Sequence, residues 1–505
     1  MPSTQFRHFL IGDIFRQNAA IVPEGLAAAL GGESLSHAEL DARGNRLAHA
    51  LRGLGIGHLD RVACWADTCL EVLPLFAACA KLGAVFAPVN ARLGPAEALQ
   101  PVELARPALL VADGERLAGA AELAAHAGAG LACLHGPPGG GGLDLAAAAV
   151  RGPAADLSEP ALREGDPQVI FFTSGSTGKP KGVVLSHRAN WLRSFQGPFR
   201  DDPERGVCMF PLYHMAGFSL ALSAWQTRGS IALVHSPTPE ALLSAVQSTR
   251  ANRLYCIPLV WSRILASDTG RYDLSSLREL DTGTSAVPIE LLRALKERFP
   301  GTRTRTYYGS TEAGSCSTLS DADALRKPGS VGLAAPAAAL RISAEGEICV
   351  RSPYMMDGYF ENPEATAEAL RDGWYHTGDL GALDEEGYLQ VTGRMREVIR
   401  SGGESVSPLE VEAALAGAAG VRELAVIGVP DADWGELVCA VVVPEPGAEV
   451  TLEALQAVCE GRIAGFKKPR RIAFAEALPR TAATGQVQRG LLAEQLAQAR
   501  AGAAQ

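Results

Sequence analysis

The sequence predicts an α/β protein with a large N-terminal part and a small α+β domain at the C-terminus. The first observation behind this is alternation: strand-length apolar runs such as "RVACWAD" and "AVFAPVN" flank the Ala/Leu-rich helical stretch "CLEVLPLFAACAKLG". The second is length, because 505 residues exceed what one hydrophobic core ordinarily serves. The third is a change of texture after Arg400, where "ELAVIGVP" and "LVCAVVVP" alternate with the helical "PLEVEAALAGAAG" and "TLEALQAVCEGRIAG".

Taken in order, the N-terminus "MPSTQFRHFLIGDIFRQ" mixes charges into its apolar residues and lacks the pattern of an export signal. With no apolar run of bilayer length, the reading is a cytoplasmic protein without a membrane span. The segment "HGPPGGGGLDLAAAAVRGPAADLSEPALREGDP" is rich in Gly and Pro and reads as a loop before "QVIFFTSGS" begins a strand. Later, "GEICVRS" and "GYLQVTGR" read as strands. The formal net charge of -10, with no basic tail, argues against nucleic acid as a partner. The cysteines are scattered from Cys64 to Cys459 and form no CxxC pair, so they read as buried free thiols rather than zinc or redox ligands.

Chemistry concentrates first in "FFTSGSTGKPKGVVLSH", Phe171 to His187. A P-loop needs Ser or Thr after GxxxxGK, but Pro180 follows Lys179, so that loop is excluded. What remains is a hydroxyl-rich, glycine-rich turn after a strand, able to wrap phosphate oxygens with N–H groups, hydroxyls and lysine charge. A polar hairpin turn would explain the glycines and leave the hydroxyls and lysines without a purpose.

"TSGSTGKPKGVVLSH" resembles the signature loop of the adenylate-forming superfamily, which includes acyl-CoA synthetases, luciferases and peptide-synthetase adenylation domains. "PLYHMAG", "DTGTSAVP", "YGSTE", "YHTGDL" and "GRMREVIRSGGESVSPLEVE" resemble the rest of that family's series in order and spacing. The resemblance spans almost the whole chain and is closest to the stand-alone acyl-CoA synthetases. It implies an N-terminal AMP-binding domain of α/β subdomains over residues 1–393, a hinge at 394–396 with Arg396 as the hinge residue, and a small, mobile α+β C-terminal AMP-binding domain over 397–505.

The chemistry so implied has two steps. A carboxylate attacks the α-phosphate of ATP and expels pyrophosphate; the thiol of coenzyme A then attacks the acyl-adenylate and expels AMP. The resemblance assigns Thr173, Ser174, Gly175, Ser176, Thr177, Gly178, Lys179 and Lys181 to the ATP phosphates. Thr311 falls to the α-phosphate and Glu312 to Mg²⁺, a hard cation that takes oxygen ligands. Gly283, Thr284, Ser285 and Ala286 would line the base pocket, with Tyr308 against adenine and Gly309 beside it. Asp379 and Arg394 would serve the ribose and phosphate, although by charge alone they could equally be a structural ion pair. His214 would gate the meeting of acid and pantetheine without acting as a general base. Gly402 and Gly403 would give the pantetheine arm a narrow passage.

One residue departs from the pattern. In "LPRTAATGQVQRG" the family's lysine position holds Gln486, which keeps length and loses charge. Three accounts are open: a substitution introduced deliberately, divergence with Lys467 or Lys468 supplying the charge, or a chain that has lost adenylation. The intact remaining motifs favour the first, with adenylation impaired. The surroundings of His214, Met215, Gly217, Phe218, Tyr307 and Gly309 suit a fatty or aromatic acid. A malonate-type dicarboxylate would need a cation such as Arg293, which reads better as solvent-facing. A non-catalytic binder of nucleotide or acyl-adenylate is the rival from another class.

Overall fold

The computed structural model describes residues 9–135, 143–157, 159–174, 180–195, 202–401, 404–431, 433–481 and 485–503. Three sheets organise them. The largest has fourteen strands. Six of these strands are parallel: Leu26–Leu30, Ser230–Leu233, Arg205–Cys208, Arg253–Tyr255, Glu279–Gly283 and Arg303–Ser310 lie side by side. From Arg303–Ser310 onward it turns antiparallel through Gly314–Leu319, Ser330–Ala334, Leu389–Arg394 and Trp374–Leu383. Parallel strands need helical crossovers, and these cover the sheet with apolar surface.

The second sheet has eight strands and includes Arg61–Trp65 and Val85–Val89, joined through the fully buried helix Val72–Leu82. That helix is apolar on every face except at Lys81, whose buried ammonium pairs with Asp41 at 2.5 Å. Its neighbour strand Pro167–Ser174 turns back antiparallel as Pro180–Ser186. The third sheet has five strands, with Gly435–Pro444 at its centre paired along its length with the edge strand Val421–Asp431, and its own apolar cores on both faces. Strand Leu389–Arg394 ends the large sheet's contribution, the short 3₁₀ turn Met395–Glu397 follows, and Ile399–Ser401 opens the small sheet. The α/β architecture and the division into a large and a smaller part agree with the sequence reading.

One expectation is corrected. Part of the Gly/Pro-rich segment is not loop, because Leu145–Arg151 is a helix. Asp144 caps it by accepting the Ala147 N–H at 3.0 Å. A run of alanines with a good N-cap outweighs the breakers on either side. Among the described residues no helix is long and apolar enough to cross a membrane. The free cysteines are buried except Cys69, which is half-buried.

Candidate active site

The motifs converge at the C-terminal ends of the parallel strands Glu279–Gly283 and Arg303–Ser310, the usual place for ligands on an open α/β sheet. Glycine makes this convergence possible. A Cβ on Gly283, whose φ is 151°, would lie 2.2 Å from the Tyr307 carbonyl oxygen, and one on Gly309 would lie 2.1 Å from that of Gly314. Thr284 follows in the left-handed region at φ 68°, a strained setting for a β-branched residue. Ser285 and Ala286 are exposed.

Tyr308 sends its hydroxyl to Asp379 at 2.7 Å, and Asp379 pairs with Arg394 Nε at 3.2 Å, its cross-strand partner. Burial raises the Asp379 pKa, while Arg394 and Tyr308 oppose the shift. The ion pair left open by the sequence does form. Thr311 and Glu312 occupy the turn that follows, where the buried Arg193 guanidinium donates to the Thr311 carbonyl at 2.9 Å and to the Tyr354 carbonyl at 2.6 Å. Burial brings Arg193 down to about 10, which leaves it charged at neutral pH.

Thr173 and Lys181 face each other across the hairpin that carries the signature loop, with Ser174 one residue further towards its tip. Gly175, Ser176, Thr177, Gly178 and Lys179 lie outside the described residues, as do Gly402 and Gly403. Lys181 Nζ sits 4.6 Å from the ring centre of Tyr359, and the Tyr359 hydroxyl donates to Glu312 Oε1 at 3.1 Å. The hairpin and the Thr311–Glu312 turn are thereby coupled. Among the described residues Glu312 Oε2 has no hydrogen-bond partner, so one hard oxygen is available to a cation. A single carboxylate of this kind fits Mg²⁺, which is commonly held by one or two carboxylates together with phosphate oxygens and water.

His214 caps the helix Met215–Gln226, its Nδ1 accepting the Ala216 N–H at 3.2 Å, and stacks on Phe210 with centroids 5.5 Å apart. Burial lowers its pKa to about 4. The imidazole is neutral near pH 7, and with Nδ1 accepting, the hydrogen resides on Nε2. Gly217 permits the tight entry to this helix, because a Cβ there would meet the Pro211 carbonyl at 2.8 Å.

Gln486 arrives from the C-terminal part. Its Nε2 donates to the Thr284 carbonyl at 2.5 Å, and a Cβ on neighbouring Gly485 would touch Ile257 at 2.9 Å. Lys467 and Lys468 cannot replace a missing charge from where they stand: Lys467 is bound to Glu410 at 2.6 Å and Lys468 to Glu460. Arg293 is exposed on its helix, as a solvent-facing residue should be. Among the described residues one group of donor atoms could hold a further metal, Glu347, Cys349 and His376. There Arg371 already approaches His376 Nδ1 at 2.7 Å, and Glu347 is held by His376 and the Gly378 N–H, so an ion-paired hydrogen-bond cluster accounts for it.

Tyr359, Arg193 and Tyr354 escaped the sequence reading. Each acts through a partner more than forty residues away in the chain, and only "DGYF" following the apolar "PYMM" hinted at a fixed turn.

A fold of this kind, with these motifs gathered at its strand ends, defines an adenylate-forming enzyme. Residues 15–360 match the AMP-binding enzyme model, and residues 410–484 match the AMP-binding enzyme C-terminal domain. A feruloyl-CoA synthase from an Amycolatopsis species is 36% identical, covering 94% of this chain and 96% of that protein. The indoleacetate–CoA ligase of Aromatoleum aromaticum is 35% identical, covering 92% and 94%. Among solved structures, ATP-bound MatB from Rhodopseudomonas palustris matches with TM-score 0.86 and 31% identity over 96% of this chain and 98% of that one; apo MatB matches at 0.76. The chain belongs to the AMP-binding enzyme family and is an enzyme of the acyl-CoA synthetase type.

Proposed function

We propose that the protein joins a fatty or aromatic carboxylic acid to coenzyme A in two steps, and that Gln486 slows the first. In that step a carboxylate oxygen attacks the α-phosphorus of ATP and pyrophosphate leaves. In the second, the coenzyme A sulfur attacks the acyl carbonyl, the carbonyl–phosphate bond breaks and AMP leaves. The observation that carries the reading is the joining of the two halves of a nucleotide site around one turn. On one side stand Lys181, Tyr359 and Glu312; on the other stand Tyr308, Asp379 and Arg394.

In this reading Thr173, Ser174 and Lys181, with the loop 175–179 between them, take the β- and γ-phosphates. Thr311 takes the α-phosphate. Mg²⁺ bound at Glu312 would neutralise phosphate charge, and Tyr359 holds the other oxygen of that carboxylate. Gly283 to Ala286 and Gly309 border the base beside Tyr308. Asp379 accepts from the ribose hydroxyls, and Arg394, paired to it, opposes the upward push of burial on that carboxyl.

Neutral His214 orients acid and thiol at their meeting point through Nε2–H and takes no proton. Preorganised donors of this kind act at full strength only where charge develops, and a neutral amide at Gln486 supplies less of it than an ammonium would. A domain rotation at residues 394–396, with Gly402 and Gly403 beside the pantetheine arm, would separate the two steps.

The test is mass-spectrometric detection of acyl-CoA from ATP, Mg²⁺, coenzyme A and a panel of short, long, aromatic and dicarboxylic acids, with this protein beside its Gln486→Lys form. Thioester from the lysine form, and from both forms when acyl-adenylate is supplied, is the expected result. Gln486 itself favours one second reading, a protein that binds acyl-adenylate without turning it over. That reading predicts no thioester from supplied acyl-adenylate in either form.

A further inference from the structure

The turn 311–313 joins strand Arg303–Ser310 to strand Gly314–Leu319 and carries Thr311 and Glu312. Where those two side chains point depends on the peptide planes on either side of Glu312. A peptide unit is planar, so the Thr311 carbonyl and the Glu312 N–H turn together. A group that grips that carbonyl fixes ψ of Thr311 and φ of Glu312 at once.

Arg193 has this grip. Its Nη1 donates to the Thr311 carbonyl at 2.9 Å and its Nη2 to the Tyr354 carbonyl at 2.6 Å. Two residues beyond Tyr354, the Met356 N–H donates to the Glu312 carbonyl at 2.7 Å and holds the next plane. The Tyr354 hydroxyl donates to the Ser315 carbonyl at 2.9 Å. Gly314, with φ 73°, leaves the Tyr354 ring its space, because a Cβ there would lie 3.0 Å from it. Segment 354–356 thus straps the turn, and Arg193 fastens the strap to it.

The arginine reaches the turn from the signature hairpin. Strand Pro180–Ser186, which carries Lys181, runs directly into the helix His187–Ser194 that bears Arg193. Ser186 caps this helix by accepting the Ala189 N–H at 3.3 Å, and Asp357, next to the strap, accepts the Ser186 N–H at 2.7 Å. Hairpin, helix, turn and strap form one closed circuit. Arg193 is buried, and among the described residues its hydrogen bonds go to carbonyls alone. The carboxylates that act on it through space are Glu312 and Asp357. A buried guanidinium bound only to carbonyls is costly for packing alone, since an apolar side chain would fill the same space without losing hydration.

We propose that Arg193 is a positioning residue for the first step: it touches no substrate and acts through the Thr311–Glu312 peptide plane, aiming the Thr311 hydroxyl at the α-phosphate and the Glu312 carboxylate at Mg²⁺. The proposal rests on the ligase reading above. Lysine in its place keeps the charge but brings one ammonium to two carbonyls on separate segments, and methionine brings neither charge nor donor. Either change frees the plane to turn. The base and ribose residues Tyr308 and Asp379 are held by each other and by Arg394, so binding of the nucleoside does not pass through Arg193.

The experiment is calorimetric titration of the full chain and its variants with adenosine and, separately, with ATP plus Mg²⁺. No acid is present, so nothing turns over and the chemistry of Gln486 is not read. Arg193→Met and Arg193→Lys should each weaken Mg-ATP binding ~10-fold or more and leave adenosine binding within about threefold, the size of a lost charge-assisted contact. Tyr354→Phe removes the bond to Ser315 and leaves both carbonyls with Arg193; it should lower the thermal midpoint and keep the ratio of the two affinities. That control separates aiming from general loosening, and Arg193→Lys decides the matter where Arg193→Met does not fold. An Arg193→Lys chain with the unaltered ratio, or with equal loss for both ligands, would overturn the proposal. Failure of the unaltered chain to bind either ligand would instead sink the nucleotide reading, and this proposal with it.

Discussion

Gln486 presents an amide to a backbone carbonyl at the centre of the site, and the nearby lysines Lys467 and Lys468 are committed to carboxylates of their own. Gln486→Lys should therefore raise the rate of pyrophosphate release by ~10² or more, about 2.7 kcal/mol of barrier. Thioester formation from supplied acyl-adenylate should change little, because in the proposed function the residue serves only the first step. A lysine form no faster in pyrophosphate release would refute the assignment.

A second residue-scale consequence concerns His187, wholly buried, with Nδ1 accepting the Ile11 N–H at 3.2 Å. Burial lowers its pKa from 6.5 to about 3. Between those values the unfolded chain holds a proton that the folded chain lacks, so stability is complete above about pH 6.5 and falls as pH drops towards 3. His187 alone contributes a slope approaching ~1.4 kcal/mol per pH unit through that window. Urea midpoints at pH 7 and pH 5 should differ accordingly, and less so in His187→Gln, whose side chain does not titrate.

Elements set where those residues meet. The strand Arg303–Ser310 runs so close to Glu279–Gly283 on one side and to Gly314–Leu319 on the other that neither Gly283 nor Gly309 has room for a methyl group. Gly283→Ala should cost ~2–4 kcal/mol of stability through the clash with the Tyr307 carbonyl and the positive φ, read as a drop in thermal midpoint. If the midpoint held, the close approach would not be needed.

Much of this element level was readable from sequence. "RVACWAD", "QVIFFTSGS" and "GYLQVTGR" announced strands by composition, and Asp379 and Arg394 were flagged by their motifs, though their register as direct cross-strand partners was not. What stayed hidden depends on distance in the chain. Tyr359 reaches Glu312 and Arg193 reaches Tyr354 only because separate elements pack together, and no periodicity in either segment encodes that. The helix Leu145–Arg151 was missed for the opposite reason, since strong breakers on both sides masked a local preference for helix.

At the scale of the molecule, the chain as a whole is more similar to the ATP-bound than to the apo form of the same solved relative, with TM-scores of 0.86 and 0.76. The contact of Gln486 with Thr284 agrees, since it brings the C-terminal part onto the nucleotide motifs. Only the exposed turn Met395–Glu397 intervenes between the last strand of the large sheet and the first of the small one. In the proposed function a rotation there changes the backbone torsions of Arg396, and proline would fix φ near -65°. Arg396→Pro, made together with Gln486→Lys, should leave acyl-adenylate formation within about threefold and reduce thioester formation by ~10² or more, if closing the coenzyme A site depends on that turn. Pyrophosphate release and thioester yield, followed separately in rapid-quench experiments, distinguish the two steps. Equal loss in both would mean that the turn is simply needed for folding, and no loss in either would place the hinge elsewhere.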